Sequence, residues 1–167
     1  QKPENIPFAQ RYWAYNRSTL DIATLADSIE GVRALCDQNH LDIIGLTTYL
    51  HPDQPAEVEK VLQCARRIGC RQVRVFPPSY DGKEGYAALF NRTELQVRKL
   101  ETLARRYEVK IVLEIHMDTL IASPSAAYRL ICRCDPRYIG LIFDPGNMVN
   151  EGFENYQKSF ELLGNYI

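Results

Sequence analysis

Two carboxylates close two separate apolar runs: Glu114 in Lys-Ile-Val-Leu-Glu-Ile-His (110–116) and Asp144 in Ile-Gly-Leu-Ile-Phe-Asp-Pro-Gly-Asn (139–147). An acid delivered to the end of a buried strand needs a counter-charge, because burying it alone is costly. Two such acids meeting at one rim point to a divalent cation, and with it to catalysis. Oxygen ligands suit Mg2+ or Mn2+, and an added histidine would admit Zn2+ or Co2+. His116 is two residues past Glu114 and shares its strand face, so it reads as a substrate-binding or ligand-supporting residue. Arg74 in Gln-Val-Arg-Val-Phe (72–76) belongs to the same predicted interior. There it either pairs with Glu114 or holds a substrate hydroxyl or phosphate. Asp144 has a plainer alternative as the cap of the Pro145-Gly146 turn, and Asn147 either orients substrate or stabilises that turn. Tyr49, His51 and Asp53 follow an earlier apolar run and either line the mouth of the pocket or lead into a helix.

These residues hang on a repeating frame. Four β-branched-rich runs, 42–48, 72–76, 110–115 and 138–143, are spaced as strand-helix units. Helical patterns fill the gaps. One runs over 22–38 with Ile22, Leu25, Ile29, Val32 and Leu35 on a stripe, and a second opens at Pro55 and stops at Gly69. A third is predicted from the capping box Asn91-x-x-Glu94, a fourth from Ser123-Pro124, and a fifth over 153–163. Five helices alternating with four strands imply an α/β fold with a parallel sheet. Within the third run Ile111, Leu113 and Ile115 share one face, while Val112, Glu114 and His116 share the other. An interior that turns polar at the strand tips suits a β/α barrel, and a doubly wound open sheet would also bind its ligand there. The loop over 80–90, with Gly82 and Gly85, is long enough for a lid.

Composition narrows the function classes. At 167 residues the chain is expected to form a single domain over 1–167, and its 46% hydrophobic share supports a core. A formal net charge of −1 offers no field for nucleic acid or an anionic membrane. No apolar run approaches the roughly 18 residues of a membrane span, and the polar start is no signal peptide, so a cytoplasmic setting is expected. The five cysteines lack CxxC spacing and read as reduced thiols.

Val-Leu-Glu-Ile-His (112–116), Gly-Leu-Ile-Phe-Asp-Pro-Gly-Asn (140–147), Gln-Val-Arg-Val-Phe (72–76) and Leu-Gly-Asn-Tyr-Ile (163–167) together resemble the sugar isomerases and epimerases of the xylose-isomerase-like TIM barrel group, which includes endonuclease IV-type enzymes. The resemblance runs from about Tyr12 onward and implies an incomplete (β/α)8 barrel whose four strands correspond to the third to sixth of eight. It implies that Glu114 is a metal ligand and acid/base, and that Asp144 is a second ligand. The activity implied is isomerisation or epimerisation of a small sugar, sugar phosphate or polyol through an enediolate. Tyr12, Trp13 and Asn16 fall where the family has a substrate loop. The ligands that the family draws from its seventh and eighth strands have no counterpart here, so this stretch alone is expected to hold no ion and to be inactive. A full barrel takes about 250 residues. The sequence therefore implies a piece of a longer protein, a shortened relative, or a barrel completed by another chain, as in a homo-oligomer that covers the sheet edges. The alternatives are an endonuclease IV-like metal phosphodiesterase, disfavoured by few histidines and near-neutral charge, and a non-catalytic subunit or binding module.

Overall fold

The four β-branched runs pair side by side into one parallel sheet in chain order, β1-β2-β3-β4. The strands are β1 (Leu46–Thr47), β2 (Gln72–Val75), β3 (Lys110–Glu114) and β4 (Ile139–Ile142). This computed structural model describes residues 19–167, so the residues Tyr12, Trp13 and Asn16 lie outside it. Register follows the alternation: Val73, Ile111 and Ile139 align across the sheet, as do Val75, Leu113 and Leu141. All six of these side chains are buried. They form the face under the helices, and Arg74, Val112 and Gly140 align on the other face.

The helices between them are α1 (Leu25–Gln38), α2 (Pro55–Arg67), α3 (Tyr86–Tyr107), α4 (Pro124–Ile131), α5 (Pro145–Asn150) and α6 (Tyr156–Leu163). Neighbours pack in sequence, α1 on α2, α2 on α3 and α3 on α4, with α6 against α4. Val58, Val61, Leu62 and Ala65 give α2 its buried stripe, and Val97, Leu100 and Ala104 give α3 its own. Pro55 opens α2 as expected, since a missing amide proton costs nothing in a first turn. Gly69 ends it at φ 72°, a left-handed conformation that a side chain would resist. These features are those of a (β/α)8-type barrel half, with helices outside a parallel sheet.

Several boundaries differ from the sequence expectation. Strand β1 is two residues long rather than seven: the ladder pairs only Leu46 with Val73 and Thr47 with Arg74, and just past it the Thr48 hydroxyl donates to the Arg74 carbonyl at 2.7 Å. Helix α3 starts at Tyr86, so Asn91 lies inside it and caps nothing; burial of Leu89 and Phe90 draws the helix back over the run ahead. Leu35, placed on an apolar stripe by spacing, is exposed. The helix expected from 153 begins at Tyr156, where the Asn155 side chain accepts from the Lys158 amide at 3.1 Å. Helix α5 was not anticipated at all. All five cysteines are free thiols, and no helix among the described residues is long and apolar enough to cross a membrane.

Candidate functional site

The carboxyl ends of the four strands carry the residues singled out from sequence. Arg74 is the hub. Its guanidinium forms an ion pair with Glu114 on the next strand, and both side chains are about nine-tenths buried, with 12% and 11% exposed. Arg74 Nε and Nη2 also donate to the Thr48 carbonyl at 3.2 and 3.1 Å. Its charged carbon stands 4.8 Å from the Tyr49 ring centroid and 5.4 Å from that of Phe76, within cation–π range. A guanidinium held on every side by acceptors and ring faces is fixed before any ligand arrives. The pairing alternative for Arg74 is thus realised, and burial of the Glu114 carboxylate is compensated.

Phe76 gathers the remaining rim residues. Its ring meets Tyr49 at 5.4 Å, His51 at 6.1 Å and His116 at 4.9 Å between centroids. His51 Nδ1 lies 3.1 Å from the Phe76 carbonyl, and His116 Nδ1 lies 2.7 Å from the Met117 carbonyl. A carbonyl only accepts, so each Nδ1 donates, and in the neutral ring each Nε2 keeps its lone pair. Phe76 and Thr48 were not singled out from sequence. Parity already puts Phe76 on the Arg74 face, so that signal was there to be read. Thr48 holds the guanidinium through its backbone carbonyl, which carries no sequence signature.

Asp144 is engaged differently. The ladder pairs Glu114 with Ile142, and Asp144 follows two residues later in extended backbone, φ −110° and ψ 97°. Its carboxylate caps α5: Oδ1 accepts from the Gly146 and Asn147 amides at 2.8 and 3.1 Å, and Oδ2 accepts from Asn147 Nδ2 at 2.6 Å. This is an N-cap aided by Pro145 at the first helical position. Asn147 therefore steadies Asp144. Among the described residues no hydrogen bond or ion pair joins Asp144 to Glu114, and no three His, Cys, Asp or Glu side chains stand together as a metal centre.

The loop expected over 80–90 gives way to α3 at Tyr86, and in the stretch before it the Tyr80 amide donates to the Asp118 carbonyl at 3.3 Å. The Leu120 amide donates to the Pro78 carbonyl at 2.9 Å, and Ser79 bridges Thr119. Tyr80 stacks edge-on against Tyr86 at 5.7 Å. Beside the rim, Tyr49 and Arg74 border a groove of 810 Å3 that runs along β1 under Leu25 and Ile29 of α1.

One family model, described as xylose isomerase-like TIM barrel, matches residues 9–167. No curated protein matches the sequence. Among solved structures the fold is similar to the 3-keto-D-glucoside 4-epimerase YcjR from E. coli, at TM-score 0.75 and 17% identity, over 88% of this chain and 64% of that one. It is also similar to a xylose isomerase-like TIM barrel protein from Mycobacterium smegmatis in complex with magnesium, at TM-score 0.67 and 19% identity, over 90% and 55%. A third likeness is to the IolI protein with bound zinc, at TM-score 0.68 and 18% identity, over 96% and 58%. At these identities the likeness is one of fold. The chain spans less than two thirds of each of these proteins.

Proposed function

The chain belongs to the xylose isomerase-like TIM barrel family, and on that premise we propose that it carries part of the catalytic rim of an isomerase or epimerase for a small sugar or polyol. The observation behind this reading is the Glu114 carboxylate, buried at the end of β3 with Arg74 fixed beside it. Glu114 takes a proton from the carbon next to a carbonyl, leaving an enediolate. Return of the proton to the neighbouring carbon isomerises the sugar, and return to the opposite face epimerises it. The Arg74 charge next to the carboxylate favours an electron-rich oxygen in the same place. Tyr49, His51 and His116 offer ring faces and Nε2 acceptors to sugar hydroxyls, and Asn147, held against Asp144, is a further candidate for substrate binding.

Glu114 and Asp144 are the residues that would hold a divalent ion, Mg2+, Mn2+, Zn2+ or Co2+. Such an ion, when bound, supplies Lewis-acid polarisation of the carbonyl. The fit is partial: Arg74 occupies one Glu114 oxygen, Asp144 is committed to its cap, and among the described residues no further ligand accompanies them. That same engagement favours a second reading, a binding module or subunit without turnover.

The test is solvent exchange. Incubated in D2O with Mn2+ and a panel of ketohexoses, a full-length form that completes the barrel should place deuterium on carbon beside the carbonyl, and Glu114→Gln in that form should stop it. Exchange that persists in the Gln variant removes Glu114 from the role. Absence of exchange, with sugar binding retained, supports the binding module.

A further inference from the structure

The end of the sheet opposite the rim carries charge that the catalytic reading does not use. Where β2, β3 and β4 begin, a groove of 480 Å3 is lined by four cations, Arg66, Arg71, Lys110 and Arg137, and by one carboxylate, Glu108. Glu108 is taken by Arg66 at 2.7 Å, and Arg137 is held by Asp135 at 2.7 Å. Arg71 and Lys110 remain. Among the described residues no hydrogen bond or ion pair reaches either side-chain cation.

Lys110 is the informative member. It starts β3 on the Glu114 face, four residues earlier, and is only partly exposed. Burial pushes its ammonium below the usual lysine range. A cation in that setting without a counter-ion is a cost that an incoming anion would remove. Space for it comes from Gly140 on β4: a Cβ there would fall 2.2 Å from Lys110 Cε, 2.8 Å from Nζ and 2.6 Å from the Tyr166 carbonyl oxygen. The bare Cα is what lets the lysine stem lie across the strand.

We propose that this groove binds a phosphate group, free or carried on a small metabolite, with Lys110 as its central donor and Arg66 and Arg71 at its margin. An ammonium with three donors, flanked by guanidinium forks, matches a tetrahedral dianion with many acceptor sites. The volume lies in the range of small-molecule sites, so it leaves room for a body attached to the phosphate. The site is at the other end of the strands from Glu114 and stands or falls independently of the isomerase reading.

Calorimetric titration at constant ionic strength with inorganic phosphate and with glucose 6-phosphate tests it. Saturable binding is expected, weakened about tenfold or more by Lys110→Met, which keeps the aliphatic stem over Gly140 and so preserves the fold. Gly140→Ala keeps the charge but fills the slot, and should weaken binding similarly. Lys83→Met removes one positive charge from an exposed position and should leave binding unchanged. Tighter binding of glucose 6-phosphate identifies a metabolite as the source, and equal binding identifies the free ion. Failure of both probes to saturate, or equal loss in Lys83→Met and Lys110→Met, overturns the proposal.

Discussion

Arg74 reaches Glu114 diagonally: the register sets Arg74 opposite Val112, and the ion pair closes on the residue two places further along β3. Through the Thr48 carbonyl the same guanidinium also holds the end of β1. One side chain thus ties three strands together at the rim where the candidate chemistry lies.

That linkage should be visible in stability. Arg74→Met leaves the Glu114 carboxylate buried and unpaired, and should cost about 3–5 kcal/mol in urea denaturation. The double variant Arg74→Met/Glu114→Leu should recover much of that loss, since no buried charge is left over. Additive losses in the double-mutant cycle would mean that the pair is not coupled in solution.

Asp144 separates capping from any role in catalysis. Asp144→Ala should lose about 1 kcal/mol through α5, whereas Asp144→Asn keeps a capping oxygen and should lose little. If the carboxylate also serves the reaction, the Asn variant should remain stable yet lose solvent exchange into sugar. Full exchange in a stable Asn variant assigns Asp144 to the helix alone.

The cysteines should alkylate in an order set by burial. Burial, with Glu101 adding negative charge nearby, pushes the Cys134 thiol up to about 12, and burial also raises Cys64. At pH 8 Cys134 then holds roughly a thousandfold less thiolate than an ordinary thiol. Cys132, two residues away and exposed, should label first with iodoacetamide, as read by peptide mass spectrometry. Early labelling of Cys134 in folded protein would contradict the packing around it.

Acid stability should respond to Asp135. Hydrogen bonds from the Arg137 side chain and backbone hold its carboxyl down at about 2, below the ordinary 3.8. With the folded value depressed, the unfolded chain binds more protons as pH falls. The stabilisation is therefore complete above about pH 4 and fades toward pH 2. Thermal melts of Arg137→Gln should show a shallower loss across that window than the parent protein, and parallel curves would sink this account.

Period-two and period-3.6 patterning was enough to read the four strands and the helices between them, because burial repeats locally along the chain, whereas their order across the sheet came from the resemblance and the assembled fold. The same alternation placed Arg74, Glu114 and His116 on one face, and Pro55, Gly69 and Ser123 marked helix ends through their own backbone chemistry. Boundaries failed where a distant contact overrode a local signal, as with the capping box at Asn91 and the seven-residue first strand. Spacing also could not choose between alternatives that each satisfied it. Only the assembled sheet decided that Arg74 closes on Glu114 from 40 residues away, that Asp144 spends its oxygens on α5, and that Lys110 lies over Gly140. Each of these depends on which strands become neighbours and in what register, a property of the whole fold rather than of any window of sequence.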